Sequence, residues 1–240
     1  PLGFGAREQV AQNTVVQFTG GIRGEFADTG WNYELYASEG RTEIDITQLG
    51  NIDTQRLTDV LANPATAGSG ACSTWNPFGN NALPAACRSF LESPGSRRQV
   101  FTQQIAQGYV GGDLFNLPAG PVATVFGVEY RAFEYSDRFL SSPGPFSGFN
   151  ATNPDQGKNE FLDFFMEAGI PIVRDAPFAE SIDVTVGLRS SNFSFTRFLP
   201  TFAEAPEQNS TAYKIELDWQ ANDWLRSRLS YQESARAPNF

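Results

Sequence analysis

From residue 14 to residue 26 the chain alternates, and this pattern constrains its fold more than any other feature. Thr14, Val16, Phe18, Gly20, Ile22, Gly24 and Phe26 occupy one parity, and Gln17, Thr19, Gly21, Arg23 and Glu25 the other. A period of two places successive side chains on opposite faces of a β-strand. Thirteen residues of it is over twice the usual strand of about five or six. The same alternation returns along the chain. Tyr213, Ile215, Leu217 and Trp219 oppose Lys214, Glu216 and Asp218, and Ile182, Val184, Val186 and Leu188 oppose Asp183, Thr185, Gly187 and Arg189. In 161–172, Leu162, Phe164, Met166, Ala168, Ile170 and Ile172 oppose Phe161, Asp163, Phe165, Glu167 and Gly169. Segments 31–38, 122–131 and 224–231 behave likewise, while 99–115 is interrupted by Gly108, Gly111 and Gly112.

Eight long strands follow. Their links sort into two kinds. Short turns are expected at Asp28–Gly30, Pro118–Gly120, Asp175–Ala179 and Ala221–Asp223, which carry turn residues. Long loops are expected at 48–97, 138–157 and 197–209. Short and long links alternating along up-and-down strands describe the wall of a transmembrane barrel, whereas sandwich strands are shorter and their loops unsorted. The fold class read here is all-β: an antiparallel up-and-down transmembrane β-barrel wall of about eight long strands. Trp31, Phe26, Phe115, Trp219 and Trp224 lie near the short turns and are expected to form an aromatic girdle at one membrane interface.

Composition closes off other classes. The formal charge is −10, which repels phosphate backbones, so no nucleic-acid partner is expected. There is no histidine, which removes Ser-His, Cys-His and His-metal sites. No catalytic, metal or cofactor-binding residue is assigned. No stretch approaches the roughly 18 apolar residues of a membrane helix. Met166 is the one methionine, so Pro1 is no translation start; the chain is expected to have lost a leader or to be part of a longer one.

Segment 48–97 exceeds ordinary loop lengths and calls for structure of its own. A helix is expected over Thr54–Ala62, with Leu57, Val60 and Leu61 on one face and Asp53 as its cap. A second is expected over Pro84–Leu91, with Pro at an early helical position. Cys72 and Cys87 flank the turn-rich Asn76–Asn81 and are expected to pair in an oxidising compartment. Closing that loop of about 15 residues contributes roughly 3 kcal/mol in the chain-entropy model.

Three motifs now bear on family. Leu117-Pro118-Ala119-Gly120-Pro121 followed by Gly127-Val128-Glu129-Tyr130-Arg131 resembles a hairpin of TonB-dependent outer-membrane receptors. Cys72–Gly79 with Ala85–Leu91 resembles an extracellular loop of that family, and Arg236-Ala237-Pro238-Asn239-Phe240 one of its strand ends. The resemblance covers residues from about 14 to 240. It implies a stretch of a barrel of about 22 strands filled by an N-terminal plug. It also implies the cell outer membrane of a Gram-negative organism, the TonB–ExbB–ExbD complex as partner through the plug region, and import of a scarce ligand. Siderophore, cobalamin, saccharide and peptide classes all remain open, and no ligand contact transfers onto loop positions. Segment 48–97 is implied to be a large extracellular loop, with 1–240 a partial barrel domain lacking plug and C-terminal strands.

Enzyme chemistry is the competing reading. Asp163 with Glu167, and Glu216 with Asp218, have a spacing that glycosidase chemistry permits, yet any polar sheet face yields such pairs. Gly20-Gly21 and Gly111-Gly112 precede no helix and are not phosphate loops; they are read as points of curvature. Arg23, Arg131, Arg189, Arg226 and Arg228 are read as a solvated wall. The alternative function is a soluble secreted all-β module for carbohydrate binding or adhesion.

Overall fold

Eight strands form one sheet in the order β1-β2-β3-β4-β5-β6-β7-β8, every neighbouring pair antiparallel. They are β1 (Glu8–Glu25), β2 (Asn32–Leu49), β3 (Gly95–Leu117), β4 (Gly120–Phe139), β5 (Asp155–Ala176), β6 (Ala179–Leu199), β7 (Ala203–Asn222) and β8 (Leu225–Glu233). The computed structural model describes residues 4, 6–141, 144–146 and 153–234. The strand-end motif at Arg236–Phe240 lies outside the described residues. The sheet is an open wall: among the described residues β1 and β8 are not paired with each other.

The pairing register carries the alternation from strand to strand. Ile22 faces Leu35, Leu35 faces Gly108, Gly108 faces Val128, and Val128 faces Phe164. Further along, Val184 faces Leu217 and Val186 faces Ile215. All these residues therefore share one face, and they are not covered: Phe18 is 74 % exposed, Ile22 62 % and Phe164 58 %. A soluble sandwich buries this face under a second sheet; here none lies over it, which is how a lipid-facing surface looks. On β4 the apolar band runs from Val122 to Ala132, about 25 Å along the membrane normal once strand tilt is allowed for. That matches the hydrocarbon band of an outer-membrane barrel.

The strands outrun that band. β3 has 23 residues and β5 has 22, about 50 Å of height at the usual tilt. The alternating segments were therefore the middle of longer strands. One expected loop is corrected by this. The link at 197–209 shrinks to residues 200–202, because Arg197, Thr196 and Phe195 pair with Ala203, Glu204 and Ala205. Beyond the lipid both faces are wet, so apolar/polar alternation fades while backbone pairing continues. The other two long links hold, at residues 50–94 and 140–154.

The four short turns stand where turn chemistry placed them. Asp28 and Gly30 take positive φ in the first (58° and 71°), and Asp175 and Phe178 in the third (52° and 61°). Phe26, Phe115, Phe178, Trp219 and Trp224 are exposed around this end, and Trp219 Nε1 donates to the Phe178 carbonyl at 2.9 Å. Two glycines of β3 make room for neighbouring side chains. A Cβ on Gly112 would sit 2.6 Å from the Trp31 ring, and one on Gly108 would sit 2.5 Å from Leu35. They admit neighbouring side chains; the β3–β4 register shift lies further on, between Asp113 and Asn116.

A compact apolar core sits in the β2–β3 link. Val60, Cys72, Trp75, Leu83, Cys87 and Leu91 are buried together, with Leu57, Phe90 and Ile52 packed on them. α1 (Thr54–Ala62) is capped by Asp53, whose carboxylate accepts from the backbone N–H groups of Gln55 and Arg56 at 2.9 and 3.1 Å. Leu61 departs from expectation: it points outward, 51 % exposed, while Val60 and Leu57 face the core. α2 (Ala85–Leu91) begins one residue after Pro84, which serves as its N-cap in extended conformation. The link is tied down at its base. Asp53 N donates to Leu91 O at 3.0 Å, Ser93 N to Asn51 O at 2.9 Å, and Thr54 N to Pro145 O in the β4–β5 link at 3.1 Å.

Candidate functional site on the polar face

The opposite parity gathers the charges. Glu129 and Arg131 of β4, Asp163 and Glu167 of β5, Asp183 and Arg189 of β6, Lys214, Glu216 and Asp218 of β7, and Arg226 and Arg228 of β8 share one face by register. They are wired into ion pairs. Arg131 meets Glu129 at 2.9 Å and Asp163 at 2.7 Å, and Arg189 bridges the same two carboxylates. Lys214 meets Glu167 at 2.7 Å, and Arg174 meets Asp183. Asp218 is held by Arg226 at 2.6 Å and Arg228 at 2.9 Å, and Arg228 also reaches Glu216 at 3.2 Å.

Both carboxylate pairs considered for hydrolysis are thus neutralised by cations. Asp163 and Glu167 go to different partners, and Glu216 and Asp218 share Arg228. A glycosidase dyad needs one carboxylic acid free to hold a proton and one open to the sugar; this arrangement offers a salt-bridged wall. The arginines read as a solvated wall from the sequence are more tightly bound than that reading held, except Arg23, which stands opposite Glu34.

Sequence reading missed a feature above this lattice. Phe101, Phe133, Phe161 and Phe193, from β3, β4, β5 and β6, share the polar parity and form a row with centroid separations of 6.0, 6.0 and 5.9 Å. Arg131 lies over the Phe161 ring at 5.0 Å and joins the row to the ion lattice. The available signal was phenylalanine at a parity otherwise occupied by charge, each six residues from the long-link end of its strand. Toward that end, Asp137 is buried and accepts from Arg97 at 3.2 Å and Gln99 at 3.1 Å.

Cys72 and Cys87 form the expected disulfide, with Cα atoms 4.6 Å apart. Phe78, in the turn between them, is 91 % exposed. Among the described residues there is no group of three or more His, Cys, Asp or Glu able to hold a metal ion, and no helix long and apolar enough to cross a membrane.

Comparison with known families was decisive: residues 3–240 match the family model of the TonB dependent receptor-like β-barrel. The chain belongs to this family. No curated protein and no solved structure gave a match. The sheet is therefore a stretch of a TonB-dependent receptor barrel, its apolar face toward lipid and its ion-paired face toward the lumen. Such receptors are outer-membrane transporters, and family membership links the chain to TonB-dependent transport of a ligand.

Proposed function

We propose that this wall belongs to a receptor that captures a scarce ligand of the siderophore, cobalamin, saccharide or peptide class at the cell surface. Energy from the TonB–ExbB–ExbD complex, delivered through an N-terminal plug, drives that ligand through the lumen. The β2–β3 link, residues 50–94 within the segment 48–97 singled out from the sequence, is then the large extracellular loop. Its own core and disulfide let it hold a shape outside the membrane, and Phe78 stands at its exposed turn.

The observation that carries this reading is one uncovered apolar face across an eight-stranded sheet of this family, backed by a face whose charges pair across β4–β8. A wall that must meet lipid on one side and water on the other needs both. The ion pairs across β4–β8 join six carboxylates to six cations. The phenylalanine row supplies apolar surface in that lumen for a ring-bearing cargo or for the plug.

Uptake in cells tests it. The full-length receptor gene is deleted and restored in its host, and cells are offered radiolabelled ferric siderophores, cobalamin, maltodextrins and peptides. Accumulation of one class that needs the receptor, and that collapses with a protonophore, supports the proposal. Energy-independent accumulation, or none with any class, overturns it. An epitope placed between Asn80 and Asn81 is expected to bind antibody on intact cells.

A further inference from the structure

Of the six largest fully buried side chains among the described residues, five lie outside the sheet. Leu91, Val60, Asn51, Cys72 and Cys87 belong to the β2–β3 link, and Asp163 alone belongs to a strand. The wall has no second layer to pack against, so the best-packed part of the chain is a connection. Connections that open and close have the opposite character: few buried apolar contacts, and backbone hydrogen bonds open to water.

This core reaches beyond its own link in two directions. Ahead of β1, Phe4 packs on it and meets the Trp75 ring edge-on, with centroids 6.4 Å apart. The approach is tight. β1 and β2 end their pairing at Glu8 and Leu49, and Gly50 follows with a φ of 69°. A Cβ on Gly50 would stand 2.5 Å from the Ala6 carbonyl oxygen, so glycine is what lets the segment before β1 cross the neck of the link. On the other side, Thr54 directs both its backbone N–H and its hydroxyl to the Pro145 carbonyl, each at 3.1 Å. Asp53 forms an antiparallel bridge with Phe146, which is itself buried. Between these attachments stand α1, α2 and the disulfide. Arg56 of α1 clasps α2, donating to the Phe90 carbonyl at 2.9 Å with its guanidinium over the Phe90 ring. Cys87 lies in α2, and Cys72 stands three residues before Trp75. The disulfide therefore joins the helix that closes the core to the turn whose ring receives Phe4.

We propose that the β2–β3 link is a fixed keystone of the barrel mouth, holding the segment before β1 and the β4–β5 link through one disulfide-closed core. This side of the mouth keeps one shape, and any opening that admits a ligand falls on links elsewhere. Its place at the outer mouth rests on the extracellular reading of the link given above; the coupling between the segments does not. That coupling has a definite form. Phe4 loses its seat when Trp75 shifts, and the disulfide steadies Trp75. Seating of Phe4 and closure of the core then stabilise each other, and each feels the loss of the other by the same factor, because a coupling free energy is reciprocal. Segments that merely touch show no such exchange.

Hydrogen exchange of the full-length receptor in phosphatidylcholine nanodiscs, read by mass spectrometry, tests the coupling. The backbone N–H groups of Asp53, Thr54 and Ser93 donate to Leu91, Pro145 and Asn51, and are expected to exchange at least about a thousandfold slower than in an unstructured peptide. Replacing Cys72 and Cys87 by serine is expected to speed exchange about tenfold at residues 6–9, which contain neither cysteine. Phe4→Ala is expected to speed it by a similar factor at residues 85–91. Phe78→Ser, at the exposed turn, is expected to leave both segments unchanged. If the cysteine variant fails to insert, Phe4→Ala carries the reciprocal half of the test by itself. Fast exchange at Thr54 in the wild type overturns the proposal. So does a cysteine variant that leaves residues 6–9 unchanged, or a Phe4→Ala receptor that leaves residues 85–91 unchanged. No transported ligand enters the measurement, so a failed cargo assignment leaves its outcome intact.

Discussion

Asp163 has a side chain with no solvent exposure, and two guanidiniums hold its carboxylate. Removing it leaves two guanidiniums to share the single carboxylate of Glu129, and breaking a buried charge network in this way typically costs 3–5 kcal/mol. Asp163→Ala in the full-length receptor is therefore expected to lower its unfolding free energy in lipid vesicles by about 3 kcal/mol. Asp183→Ala, which frees Arg174 at a site where both side chains are more than a third exposed, is expected to lose under about 1 kcal/mol. Denaturant titrations that rank the two the other way would show that the lumen lattice is not what the geometry describes. The two faces can be told apart in the same assay. Val184 stands between Ile170 and Leu217 on the lipid face, and Thr185 between Gly169 and Glu216 on the lumen face. Arginine at 184 is expected to destabilise insertion by roughly 2–4 kcal/mol, and arginine at 185 by far less. Equal losses would show that the face assignment is wrong.

At the scale of elements, legibility followed the membrane. Strand centres such as Ile182–Leu188 and Tyr213–Trp219 could be read directly because one side meets lipid and the other water. Strand ends could not. Phe195–Arg197 and Ala203–Ala205 pair across the link that joins β6 to β7, yet neither shows alternation, since nothing apolar selects one face there. The phenylalanine row was hidden for a related reason: aromatic residues at polar parity look like exceptions until register aligns them across four strands. The β2–β3 link was readable by local chemistry, through the Asp53 cap, the Pro84 boundary and the cysteine pair. That link carries its own buried core. Replacing both cysteines by serine is expected to weaken it by about 3 kcal/mol, seen as faster proteolysis between residues 63 and 84 in non-reduced membranes. Heat-modifiable migration of the barrel is expected to be unchanged, because the disulfide closes a loop within the link and crosses no strand pair.

At the scale of the whole sheet, two edges are bare among the described residues. β1 is paired only to β2, and β8 only to β7, among the described residues. β8 has nine residues against the 18 of β1, so even if the two met, half of β1 would remain uncovered. On β1 about ten residues lie within the apolar band, and each strand edge leaves roughly half of its N–H and C=O groups facing outward. Lipid supplies no partner for them, and each unsatisfied group costs several kcal/mol in hydrocarbon, tens of kcal/mol for one edge. Burying the apolar side chains in lipid does not relieve this, because the side chains and the edge groups are different atoms with different needs. Water satisfies the edges but leaves the apolar face, with Phe18, Ile22 and Phe164, exposed. Neither solvent suits this wall without further strands on both sides. The 240-residue chain expressed alone is therefore expected to associate edge to edge, or to stay dispersed only in detergent, and to transport nothing. Sedimentation velocity in detergent-free buffer checks this: a broad, concentration-dependent distribution is the expected result. A single boundary of monomer mass with cooperative unfolding would show that the sheet satisfies its own edges, and would return the soluble β-module to consideration.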